Sequence, residues 1–274
     1  MKYLFFAFIL LLTSTVSAQN PLGEYLGDES AFYAETKQVN QFFRRFNNEE
    51  DKDGVKYNPN NKKYRSLKDR KKYLEILFDG QNASITPNLK QEFIATVNDA
   101  NNPVFLDFRN GDWFSEVTAR FNYKGQEETA YLYLRLEPDR KGYKWVLHHI
   151  HYARYSNLLP AKESEEKKFI HPMSHELDFM NLNKAFDDTQ NLQDYAYKGY
   201  KPDYLTLFLY DLKRGDLKFR TVADVKFHFF QVDEWYFEIS EFNRKGMNRG
   251  WLISSLAKVP ETQKEVFRRY LFRE

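Results

Sequence analysis

The sequence predicts an α+β protein of two duplicated units, each with N-terminal helices packed on a curved antiparallel sheet. Three observations carry that expectation. A shift of 104 lays Asp107, Gly111, Asp112, Arg140, Lys141 and Gly142 onto Asp211, Gly215, Asp216, Arg244, Lys245 and Gly246, and such self-similarity bears directly on the domain count. Apolar and polar residues alternate, the period of a half-buried strand, through 113–124 and 130–137 and again from 217. Capped helical stripes precede the first alternation.

Residues 1–18 read as a secretory signal. Lys2 supplies the positive start, 3–12 the apolar stretch and Val16-Ser17-Ala18 the cleavage site. The apolar run is too short for a bilayer span, so the expectation is an exported, periplasmic or extracellular protein with no membrane span in its mature chain. The chain has no cysteine, which excludes a lipid-modified cysteine, disulfides and thiolate metal sites. Without the signal, 40 basic residues face 39 acidic ones, a balance that argues against a nucleic-acid partner. Aromatics make up 18% of the chain, which fits a β-rich core with amphipathic tyrosines at its edges.

Copy one is expected over 19–157. Residues 31–46 read as a helix with Phe32, Val39, Phe42, Phe43 and Phe46 on one stripe. A polar loop follows, whose acidic residues lack the bidentate Glu that a calcium loop needs. Ser66 and Asp69 start a second helix, and Thr86-Pro87 a third. Residues 104–108 read as a short strand entering an Asn110-Gly111 turn. Two long strands and a last one from Tyr143 to Tyr152 complete the sheet. The charged run 162–168 marks the boundary.

Copy two is expected over 158–274. Pro172 opens a helix reaching Phe186, and 205–210 is the counterpart of the short strand, turning at Lys213-Gly215. From 217 the apolar parity matches copy one, because 104 is even. At Trp235, Phe237 and Ile239 it reverses, which calls for a slip or bulge. Thr262 and Glu265 suggest a final helix docking through Val266, Phe267, Tyr270 and Leu271.

Helices leading into long antiparallel strands resemble the NTF2-like (SnoaL-like) superfamily, over 31–152 and, in shorter form, 205–259; for copy two the cystatin-like fold competes. The resemblance is one of element order. It implies a cone-shaped pocket in either a catalytic or a non-catalytic domain.

The most chemical stretch is His148 to Tyr152. On a regular strand His149 and His151 share a face with Trp145 and Leu147, fitting acid–base work or a shared metal, or else plain packing. Asp107 and Asp211 hold equivalent places, as pocket acids or, preferably, turn acceptors. Trp145, Tyr131 and Tyr133 are the candidate ligand-binding aromatics. His171 and His175 have the helical spacing of two metal ligands, without the Glu of a metalloprotease motif. Elbow, phosphate-loop and dinucleotide fingerprints are missing. The expectation is a non-catalytic binding or interaction protein without a cofactor, taking a small molecule, glycan or envelope protein. The alternative is an isomerase- or dehydratase-like enzyme using copy one.

Overall fold

Residues 39–140, 142–158, 169–197, 199–245 and 248–274 are described by a computed structural model. The expected signal segment, residues 31–38 of the expected first helix and most of the charged connector lie outside them. Three helices, α1 (Val39–Asn47), α2 (Leu67–Ile76) and α3 (Pro87–Val97), precede β1 (Trp113–Tyr123), β2 (Gln126–Asp139) and β3 (Gly142–His151). Then come α4 (Ala153–Leu158), α5 (Leu182–Asp187) and α6 (Tyr204–Arg214). Strands β4 (Leu217–Phe229), β5 (Trp235–Phe242) and β6 (Gly250–Lys258) lead to α7 (Glu261–Leu271).

All six strands form one curved antiparallel sheet in the order β3-β2-β1-β4-β5-β6. Two separate sheets were the expectation; instead β1 pairs with β4 along its full length and joins the two meanders. On one face, Phe42, Phe43 and Phe46 of α1 pack on Trp113, Phe229 and Phe237, with α2 and α3 completing that core. Phe229 and Phe237 stack at 4.6 Å. The far end of the same face carries Ala119, Phe121 and Ile150 under Phe208 of α6. The opposite face gathers Phe114, Tyr133, Phe230 and Tyr236 against Phe267 and Phe272. No helix among the described residues is long and apolar enough to cross a membrane.

Several local expectations change. Residues 104–108 form no strand, because their backbone is bonded to side chains. Arg70 donates to the Val104 carbonyl, and Asn47 both accepts from and donates to Leu106 at 2.8 Å. Residues 205–210 are helical within α6. Asp203 caps the helix by accepting from Thr206 N at 3.2 Å, and Leu205, Phe208 and Leu212 follow its 3.6-residue period. Gly215, at φ +79°, ends α6 and is not a hairpin turn. Asp107 in a loop and Asp211 on a helix are therefore not equivalent. The long helix from Pro172 breaks into a short 3₁₀ turn (Pro172–Leu177) and α5, with Asp178 and Phe179 at positive φ between them. On α7, Phe267 and Leu271 dock, but Val266 and Tyr270 are exposed.

The reversed parity has a simple cause. Two residues, Lys124 and Gly125, link β1 to β2, whereas five, 230–234, link β4 to β5. An odd difference moves every later side chain to the other face.

Candidate functional site

Strand alternation puts Glu116 of β1, Tyr131 and Tyr133 of β2, His228 of β4 and Tyr236 and Glu238 of β5 on the face beneath α7. In register, Tyr133 stands between Glu116 and His149, and Tyr131 beside His151. A register shift between Tyr133 and Leu134 leaves His148 as an extra residue. This bulge corrects the shared-face expectation. His149 and His151 keep the polar face, while Trp145 and Leu147 turn to the other. There Trp145 meets Trp113 at 5.4 Å. The candidate aromatics Tyr131 and Tyr133 thus lie across the sheet from Trp145.

The polar face is closed by the segment after α7. Arg273 donates to Glu116 Oε1 at 3.0 Å and to the Tyr133 hydroxyl, and its guanidinium lies 3.6 Å over the Tyr131 ring. The second carboxylate oxygen, Glu116 Oε2, meets His228 Nε2 at 3.2 Å, and His228 Nδ1 meets the Tyr236 hydroxyl at 2.8 Å. His228 is 1% exposed and Glu116 7%. Burial alone would raise the Glu116 carboxyl; the hydrogen bonds from His228 and Arg273 outweigh it and hold the group below its ordinary value. Burial, with the neighbouring Glu116 charge, raises Tyr133. Phe272 stacks on His149 at 4.9 Å, and Glu274 reaches within 3.6 Å of its Nδ1. His148, His149 and His151 are all shifted down, first by burial. This arrangement can hold and relay protons, but it is filled by the chain's own side chains.

Open cavities lie elsewhere, one of about 440 Å³ beside Glu128, Tyr152 and Arg154. A cleft of about 650 Å³ is bordered by α1 and the 105–109 loop. Phe43, Phe105 and Phe108 form its apolar walls, and Arg44, Arg65 and Arg109 with Glu49 and Asp107 its charged lining. Arg44 is bonded to Glu50 and Arg65 to Glu49, at 2.7 and 2.6 Å. The Arg109 guanidinium rests 5.6 Å over the Tyr143 ring. Asp107 lines this cleft and accepts from the backbones of Arg109 and Asn110, at 2.7 and 3.1 Å. Burial raises its carboxyl, but those bonds prevail and keep it low. Gly111 serves the same turn, since a Cβ there would come within 2.3 Å of the Asp107 carbonyl.

His171 caps the 3₁₀ turn and His175 lies within it. His171 Nδ1 accepts from Met173 N, and His175 Nδ1 bonds the Pro172 carbonyl. Among the described residues, no three His, Cys, Asp or Glu side chains gather as a metal site. Glu116 and His228 escaped sequence reasoning because the polar side of an alternating strand reads as solvent-facing, and Arg273 because it lies beyond the last helix. The one available hint was ionisable residues at like parity on β1 and β4. No family model, no curated protein and no solved structure matches the chain.

Proposed function

We propose that this chain is an exported, non-catalytic binding module, NTF2-like and built by duplication, whose ligand site is the cleft beside Asp107. One observation carries the binding reading: the larger open, partly aromatic cavity lies at this cleft, while the histidine face is plugged by Phe272 to Glu274. A volume of about 650 Å³ suits a small molecule. Arg44 and Arg65 are paired with Glu50 and Glu49, so apolar walls beside Arg109 favour a ligand with an apolar body and one anionic group, such as a small organic acid or an acidic sugar. What supports duplication is the strand order, which reads alike outward from the β1–β4 pair as two three-stranded meanders.

The second reading, an isomerase- or dehydratase-like enzyme, draws on the convergence of Glu116, His228 and Tyr133. A thermal-shift screen with organic acids and sugars separates the two, because a ligand that binds the folded state raises its melting point. The binding reading expects a stabilising acid whose effect disappears in Arg109→Ala and persists in His149→Ala/His151→Ala. A hit lost only in the histidine variant moves the site to the polar face. No shift with any anion overturns the cleft as a ligand site.

A further inference from the structure

Strand β4 outruns its neighbour. It pairs with β1 from Leu217 to Phe229, but with β5 only from Lys226 to Phe229. Residues 217–225 therefore have a strand on one side and, among the described residues, none on the other. Residues 218–224 are all exposed, although β4 is central in the sheet order. Phe219 is 57% and Val222 47% exposed. A strand edge that lacks a neighbouring strand, beside exposed apolar side chains, is a template for another strand.

The sequence of this edge selects its partner. Thr221 sits midway, with two residues separating it from Lys218 and two from Asp224. If a second copy pairs antiparallel about Thr221, Lys218 faces Asp224 of that copy and Leu217 faces its Val225. By two-fold symmetry each pair forms twice. The β1 register puts Lys218, Thr221 and Asp224 on one face, opposite Asn122, Arg120 and Thr118. Phe219 and Val222 share the other face, opposite Phe121 and Ala119. Lys218 and Asp224 pair charge with opposite charge, Phe219 faces Ala223 of the other copy, and Val222 lies along the stem of its Arg220. A strand that lacks charges complementary to Lys218 and Asp224 leaves those edge charges unpaired, a common defence against promiscuous pairing. A two-fold pairing also closes after one copy.

We propose that residues 217–225 of β4 form a homodimer interface, an antiparallel pairing of two copies about Thr221 that extends the sheet across both chains. This goes beyond the ligand reading and does not depend on it.

Sedimentation velocity across the micromolar range, with exposed charge variants, tests it. The wild type is expected to dimerise, and Asp224→Lys or Lys218→Asp to weaken the dimer by about tenfold or more. The double variant Lys218→Asp/Asp224→Lys is expected to restore it. The chain has no cysteine, so Thr221→Cys supplies a single thiol. Directly opposed residues of antiparallel strands lie about 4.5–5.5 Å apart at Cα, within disulfide reach. With diamide as oxidant Thr221→Cys should give a covalent dimer, and Lys144→Cys on exposed β3 should not. A monomer throughout the range, a dimer indifferent to Asp224→Lys, failure of the double variant to restore pairing, or no cross-link at Thr221→Cys would each overturn the proposal.

Discussion

Arg70 of α2 is wholly buried, and its three hydrogen bonds all go to carbonyl oxygens, those of Phe46, Val97 and Val104. Phe46 lies in the last turn of α1, and Val97 is the last residue of α3. The partial negative charge of two helix ends therefore stands in for a counter-ion. On the other face Arg273 meets a carboxylate, Glu116, with a tyrosine hydroxyl and an aromatic ring. One cation is neutralised by groups that cannot titrate, the other by one that can, with His148, His149 and His151 nearby. The first centre should be indifferent to pH near neutrality, since burial lowers Arg70 only to about 10. The second should respond to acid.

The largest effect should come from the first centre. Arg70→Met leaves three buried carbonyls without donors and should cost about 3–5 kcal/mol in urea unfolding. The loss should be the same at neutral and mildly acidic pH. A cost under about 1 kcal/mol would show that the guanidinium does not hold the helix ends together.

Glu116→Gln should cost less, about 1–3 kcal/mol at neutral pH, because the amide still reaches its partners without the charge. Its pH signature is the sharper test. The folded-state pKa of Glu116 lies below its ordinary 4.5, so its contribution is complete above that value and is lost as pH falls through the lowered one. Wild type and variant should converge in acid; parallel curves would remove the carboxylate from the account.

The histidines act at higher pH. Their folded values lie below 6.5, so the unfolded chain binds more protons in that window. Stability should fall as pH drops from about 6.5 through the lowered values. His149→Gln should flatten this part of a melting-temperature profile, and an unchanged slope would assign it to other groups. The smallest effect is expected at Tyr270, 74% exposed on α7. Tyr270→Ser should stay within about 0.5 kcal/mol of wild type.

Legibility in the sequence followed the same division. The stripe from Phe42 to Phe46, the Thr86-Pro87 start and the alternations of β1, β2 and β4 are local signals, and each corresponds to an element in the structure. The 205–210 stretch misled because a short apolar run suits strand and helix alike until Asp203 and Gly215 are read as its caps. The face of His149 was misassigned because one bulge residue, His148, has no mark in the sequence. Asp107 was legible as a turn acceptor; the cleft around it was not, since its walls come from α1 and a loop some sixty residues later.

By itself, the sequence determined the class of the protein, α+β with helices ahead of antiparallel strands, because side-chain period and caps are set within a few residues. Only the tertiary structure decided that β1 and β4 merge the strands into one sheet, and that α7 covers its polar face. It also brought Glu116, His228 and Arg273 together. Those outcomes depend on contacts between residues tens to more than a hundred positions apart, whose pairing no local pattern encodes.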